Sequence, residues 1–277
     1  MESVEKRLKI ERILDQNPVH LAPSGMRYFL HPSPTVVLPS SEGIQKTLQA
    51  FLRRFGTLYR GLVQFLGPAS TSRVARRKNK ALLARYQNQH VILQIGSGPG
   101  VAFARRDAIN LDIAPLDQVD IVANAEKLPI KDDCVDLIVN IAMLEHVPHP
   151  ALVVSEMYRV LKNQGCILAF VPFMQPLHAA PSDYQRWTRE GLKVLFSKFN
   201  NVEIVIGSGP TSGMLWILQE WIALVLSFGN RTLRDIVFLV TMVLTAPLKA
   251  FDLVLSSHPD AERTAGGFFI YASKKGD

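Results

Sequence analysis

The residues with the plainest chemical purpose in this 277-residue chain are glycines. The apolar run Val91-Ile92-Leu93-Gln94-Ile95 leads straight into Gly96-Ser97-Gly98-Pro99-Gly100. Glycine lets a chain reverse sharply after a strand and lets a ligand approach the main chain where a side chain would collide. Asp112 follows, in Asn110-Leu111-Asp112-Ile113. At the carboxyl end of a strand in an open α/β sheet, such a carboxylate accepts two hydrogen bonds from a ribose cis-diol. Each signal alone has a structural explanation, a tight corner for the glycines and a capped turn for the Asp. Together they imply a nucleotide-like cofactor. A dinucleotide is the poorer fit, because that fingerprint wants its third glycine one position later, where this chain has Val101.

Proton chemistry has its own candidates further along. His178, Asp183 and Tyr184 follow the fifth expected strand, and His146 follows the fourth. A histidine there serves as a general base or as a loop residue with structural hydrogen bonds, and for His146 packing at a helix start is the stronger competitor. Arg186 and Trp187 could bind a phosphate or stack on a sugar, against the plainer roles of a solvated Arg and a packed Trp.

These residues need a scaffold, and the hydropathy pattern supplies one. Short apolar runs bounded by turn residues alternate with helical stretches, which is the signature of βαβ units and a parallel sheet. Seven strands are expected: His90–Ile95, Ala108–Asp112, Val119–Ala123, Val135–Asn140, Cys166–Val171, Val202–Ile206 and Gly267–Ser273. Helices are expected over Thr71–Tyr86, Val101–Arg106, His149–Lys162 and Thr188–Lys198, and an amphipathic one over Ser41–Leu66. Residues 1–40, with five prolines, read as a loose arm after a short first helix.

Four ordered blocks carry a resemblance. They are the glycine turn; Asn110–Ile113; Ala123-Asn124-Ala125-Glu126-Lys127-Leu128-Pro129-Ile130 with Asp136-Leu137-Ile138; and Leu144-Glu145-His146-Val147 leading into Glu156–Gly165. In this the chain resembles the class I S-adenosylmethionine-dependent methyltransferases, over roughly Gln89–Phe199. The stretches Pro172–His178 and Asp183–Thr188 look like a branch found with bacterial cell-surface glycan genes. The resemblance implies an α/β, Rossmann-like class I methyltransferase fold: a seven-stranded, mostly parallel sheet with an antiparallel last strand, and a helical insertion before that strand. It divides the chain into N-terminal arm and helices (1–87), methyltransferase core (88–206), hydrophobic insertion (207–265) and last strand (266–277). It implies S-adenosyl-L-methionine as cofactor, held by Gln94, Gly96, Ser97, Gly98, Gly100, Asp112, Ile113, Asn124, Ala125, Asn140 and Ala142. Family members usually carry an acid where this chain has Gln94 and often an Asp at Asn124. Neither amide supplies charge to the cofactor, which leaves an inactive scaffold as an alternative.

Composition narrows the setting. The charge of +7 is concentrated before the core, in Arg53, Arg54, Arg60, Arg73, Arg76, Arg77, Lys78, Lys80 and Arg85. Basic residues without aromatic interleaving argue against a nucleic-acid methyltransferase, the second alternative. Two cysteines, Cys134 and Cys166, allow neither a disulfide framework nor a CxxC zinc site, and no metal is expected. The mixed-charge start, MESVEKRLKIERILD, does not read as a secretory signal, so the cytoplasm is expected. Met214–Phe228 and Ile236–Leu248 are nearly continuous apolar runs and predict a helical hairpin. Within the 211–256 insertion, Trp216, Trp221, Arg231, Arg234 and Lys249 suit the inner, anionic face of a membrane. Packing on the core or a homodimer interface is the competing use. The acceptor expected is a small molecule or a lipid-linked glycan methylated on oxygen.

Overall fold

The computed structural model describes residues 4–30, 71–98, 105, 107–179 and 182–276. The expected helices Ser41–Leu66 and Val101–Arg106 and the residues Gly100, Arg53, Arg54 and Arg60 lie outside them, Arg105 apart.

One sheet organises these residues. Its strands are β1 (His20–Leu21), β2 (Arg27–Tyr28), β3 (Ile92–Ile95), β4 (Ile109–Asp112), β5 (Ile121–Val122), β6 (Val135–Ile141), β7 (Leu161–Pro172), β8 (Asn200–Ser208) and β9 (Gly267–Ser273). Their order is β1-β2-β5-β4-β3-β6-β7-β9-β8. Every neighbouring pair from β2 to β7 is parallel. β9 alone reverses at the other end, antiparallel to both β7 and β8, with Ile270 opposite Ala169 and Ile204. This is the Rossmann-like, mostly parallel sheet with an antiparallel last strand that the resemblance implies.

The sheet is buried on both faces, so its strands are apolar without alternation. Leu93, Ile95, Ile138, Ile167 and Ala169 point into one core with Val153, Met157 and Phe196. Their chain neighbours Ile92, Leu137, Val139 and Leu168 point the other way, toward Ala75 and Phe269. Helix α2 (Arg73–Leu83) covers that second face, with the Ser72 hydroxyl accepting from the Ala75 N–H at its N-terminus. Its cations Arg73, Arg76, Arg77 and Lys80 are exposed.

Two features depart from the expectation. Residues 4–30 are not a loose arm: Ile10 and Ile13 of helix α1 (Val4–Ile13) are buried in the main core. The β1–β2 hairpin then adds two strands to the sheet edge, Arg27 pairing with Ile121. Ordering this segment is compensated by burial of those isoleucines and by edge hydrogen bonds that polar composition does not reveal. Helix α3 (Pro150–Val160), started by Pro150, also stops two residues earlier than expected, because Leu161 is already extended and pairs with Val135.

The short helix α4 (Arg189–Leu195) precedes β8, which leads into the hairpin α5 (Pro210–Ser227) and α6 (Arg231–Thr245), then a 3-10 turn Ala246–Phe251 and the short α7 (Asp252–Leu255). Phe228 and Gly229, both at positive φ, reverse the chain, and the Asn230 side chain caps α6 by accepting from the Leu233 N–H. Asp252 closes the unit: its carboxylate accepts from the Thr211 and Ser212 N–H groups and the Ser212 hydroxyl at the start of α5.

Candidate active site

After β3 the chain moves to one side, building β4 and β5, and with β6 it moves to the other. That switch point opens a crevice at the carboxyl ends of β3 and β6. The glycine turn, Asp112, Ala142–His146 and the loop after Pro172 all emerge at this edge.

On the β3–β4 side the main chain does the positioning. Gly96 and Gly98 have φ of +70° and +59°. A Cβ on Gly96 would lie 2.4 Å from Met143 Cγ, so this glycine is required by packing as well as by its backbone. A Cβ on Gly98 would meet nothing within 4 Å among the described residues, which leaves open space beside the turn with respect to them. The Gly96 N–H bonds to the Leu111 carbonyl at 2.8 Å, fastening the turn to β4. Asp112 accepts from the Gly98 N–H at 2.8 Å and the Ala114 N–H at 3.0 Å. Its carboxylate thus shapes the turn, and Ile113 beside it is exposed. The Gln118 side chain, unremarked in the sequence, donates to the Gly98 carbonyl, and Asn110 in turn donates to Gln118.

Other expected cofactor residues are distributed around the same ends. Gln94 and Ser97 are buried, and Asn140 donates through Nδ2 to the Ile95 carbonyl. Ser97 Oγ and Asn140 Oδ1 are buried without a hydrogen-bond partner among the described residues. Two orphaned polar atoms beside a glycine turn with open space fit a polar ligand such as S-adenosylmethionine, since buried polar groups are normally satisfied. Asn124 bends its own loop by accepting from the Glu126 N–H, with Ala125 buried next to it. Ala142 holds φ of +50°, an unusual conformation for a residue with a Cβ, at the point where the chain leaves β6. A cleft of about 910 Å³ between α1 and the β1–β2 hairpin contains none of these residues.

On the β6–β7 side the positioning is done by side chains. Glu145 is 0% exposed and sits in a 3-10 turn, Leu144–His146. Its Oε1 lies 3.5 Å from His178 Nε2 and 3.7 Å from His146 Nε2, and the two imidazole rings meet edge to face at 5.3 Å. The Tyr184 N–H bonds to the Glu145 carbonyl at 2.8 Å, while the Tyr184 ring is exposed. Burial pulls the His178 pKa down, but the neighbouring Glu145, the Pro176 carbonyl and Asp183 outweigh it, and the net shift is upward. Asp183 is bound by both terminal nitrogens of Arg186, which holds its carboxyl down at about 2, and it accepts from the His178 N–H at 2.9 Å. Asp183 therefore positions the His178 loop and is too weak a base to take a proton at neutral pH. The same pairing occupies Arg186, leaving less of it for a substrate phosphate. His178 also lies against Trp216 of α5, ring centroids 5.7 Å apart.

Glu145 and Gln118 are the residues that sequence reasoning passed over. Only Glu145 had a signal, an acid set among apolar neighbours in Leu144-Glu145-His146-Val147.

Residues 81–169 match a family model described as a methyltransferase domain. No curated protein sequence matches the chain. Among solved structures, the [4+2]-cyclase SpnF is 15% identical over 82% of this chain and 97% of that one, with a TM-score of 0.47. A phosphoethanolamine N-methyltransferase 2 of Haemonchus contortus, crystallised with S-adenosylhomocysteine, is 15% identical over 78% of this chain and 57% of that one, at 0.45. A possible histamine N-methyltransferase of Thermotoga maritima is 14% identical over 82% and 99%, also at 0.45. The glycine turn and strands β3 to β6 lie within the matched residues: the chain carries an S-adenosylmethionine-dependent methyltransferase domain over residues 81–169.

Proposed function

We propose that the enzyme methylates an oxygen of a small-molecule or lipid-linked glycan acceptor at the cytoplasmic face of a membrane. The observation that carries this reading is the contact between His178 and Trp216, which joins the ionisable cluster at the sheet edge to a hairpin with an exposed apolar face. Trp221, Leu224, Phe228, Val240, Leu244 and Val254 are all exposed on that hairpin and the turn that follows. An apolar surface this extensive is a place for lipid or a partner rather than for water. The run Arg231–Leu255 is long and apolar enough to cross a membrane, with 28% of its most apolar window buried. A 3-10 turn with Pro247 and buried Lys249 and Asp252 interrupts it, and these suit an interfacial position better. Of the three hairpin cations expected at headgroup level, Arg231 is exposed, Arg234 is paired with Glu220 and Asp235, and Lys249 is buried. Attraction to anionic lipid falls to Arg231 and the cations of α2.

S-adenosylmethionine, when bound, supplies a methyl group on a positively charged sulfur. Gly98, Ser97 and Asn140 would hold it at the carboxyl ends of β3 and β6. An acceptor hydroxyl loses its proton as its oxygen bonds to the methyl carbon, and the pair of electrons in the carbon–sulfur bond stays on sulfur. His146 and His178, beside Glu145, are the groups that would manage that proton, with Asp183 and Arg186 fixing their loop.

Two measurements test the reading. The full-length protein is expected to cosediment with phosphatidylglycerol-containing vesicles, with binding reduced in Leu244→Glu; protein left in the supernatant would overturn the membrane location. Labelled methyl is expected in polar-lipid or glycolipid extracts; label appearing only in RNA would overturn the acceptor.

A further inference from the structure

Three atoms able to ligate a metal converge at the acceptor side: Glu145 Oε1, His146 Nε2 and His178 Nε2. His146 Nδ1 lies 2.6 Å from the Ser182 carbonyl, and His178 Nδ1 lies 3.1 Å from the Pro176 carbonyl. A carbonyl only accepts, so each Nδ1 donates its hydrogen there, which leaves Nε2 as the atom of each ring that offers a lone pair to a metal once its proton is released. For His178 the Asp183 carboxylate, 3.7 Å from Nδ1, reinforces that tautomer against Arg186 Nη2 at 3.4 Å. Both Nε2 atoms point at Glu145, a fully buried carboxylate whose two oxygens lack any hydrogen-bond partner among the described residues. A carboxylate buried in that state is costly unless positive charge reaches it.

We infer that Glu145, His146 and His178 bind a divalent transition-metal ion of the zinc class. The ligand set, two imidazoles and a carboxylate, is one that zinc accepts. Two of the three separations come close to a zinc site's: tetrahedral zinc with bonds of 2.0–2.1 Å sets its ligand atoms about 3.3 Å apart. Here Glu145 Oε1 is 3.5 and 3.7 Å from the two nitrogens, and all three ligand atoms lie within 4.8 Å of one another. The Ser182 and Pro176 carbonyls then play the orienting part that second-layer acceptors play for metal-bound histidines. Three protein ligands leave a coordination position open, as in catalytic rather than structural zinc sites, and it would take a water or an acceptor oxygen. The sequence spacing hides this site, since two ligands are chain neighbours and the third follows only after β7.

The metal deepens the proposed acceptor chemistry, yet its test needs neither cofactor nor acceptor, so failure of one reading is distinguishable from failure of the other. Chelator-treated full-length protein is titrated with Co²⁺ and followed by visible absorption. Saturable d–d bands at one equivalent, displaced by Zn²⁺, are expected. In His146→Ala, His178→Ala and Glu145→Gln, each first checked for fold by near-ultraviolet circular dichroism, the affinity should fall by more than the roughly 10–100-fold typical of losing an outer partner. The two histidines are partly exposed, so their variants carry the test if Glu145→Gln does not fold. Absence of cobalt bands in folded wild-type protein, or undiminished binding in folded His178→Ala, would overturn the site and leave a proton shared between His178 and Glu145 in its place.

Discussion

On the β3–β4 side of the crevice the chain offers backbone: two glycines at positive φ, N–H groups tied to Leu111 and Asp112, and space at Gly98 left open by the described residues. On the β6–β7 side it offers ionisable side chains held by other side chains, with Arg186 on Asp183, Asp183 on the His178 main chain, and His178 on Glu145. A backbone-built half tolerates changes of side chain as long as the turn survives. A half built from buried charges does not, because removing one partner strands the next in a medium that solvates it poorly.

The sharpest way to break that contrast is Arg186→Ala. Asp183 is 1% exposed in its side chain, and without the guanidinium its charge is left buried. A loss of about 3–5 kcal/mol in urea-unfolding free energy is expected. The pair Asp183→Ala with Arg186→Ala should lose less than the single Arg186 variant; an equal or larger loss would mean that the loop is held by packing rather than by charge.

The backbone side is tested by Gly96→Ala, expected to cost about 2–4 kcal/mol, combining an overpacked contact with a methyl in the left-handed region. Adding Met143→Gly removes the Cβ and Cγ atoms that the new Cβ meets and should recover the packing part while leaving the conformational part. No recovery in the double variant would show that the clash with Met143 is relieved elsewhere.

The same contrast explains what could be read from residues alone. The seven core strands were legible because both sheet faces are buried, so each strand is a short apolar run between turn residues. The glycine turn was legible because a backbone requirement leaves its mark at one place in the chain. The acceptor cluster was not, since Glu145 and His178 are brought together only when β6 and β7 pair, and Trp216 arrives from beyond β8. His146, His178 and Asp183 could be named, but Asp183 acts through Arg186, and Glu145 stood inside a motif without a role. The docking of residues 4–30 was hidden for a related reason: it rests on two isoleucines and on edge hydrogen bonds that any sequence can make.

A smaller effect refines the comparison at the loop bearing Asn124 and Ala125, where a charged pair holds backbone. Arg159 grips both oxygens of Glu156 and the carbonyls of Leu128 and Ile130, and Glu156 accepts from the Leu128 N–H. Burial pushes the Glu156 carboxyl up, but the Arg159 hydrogen bond and the Leu128 N–H outweigh it and the net shift is downward. Its folded pKa thus lies below the unfolded value near ~4.3, so between the two the unfolded chain binds more protons. The stabilisation is present in full above the unfolded value and is lost as pH falls through the folded one. Wild-type urea midpoints should therefore drop as pH is lowered from about 6 toward 3. Glu156→Gln should begin lower at neutral pH and fall less steeply, because its amide keeps one acceptor for Leu128 but offers Arg159 no charge. Parallel curves for the two proteins would assign the acid sensitivity to other carboxylates and reduce the Arg159–Glu156 pair to a geometric clasp on the loop.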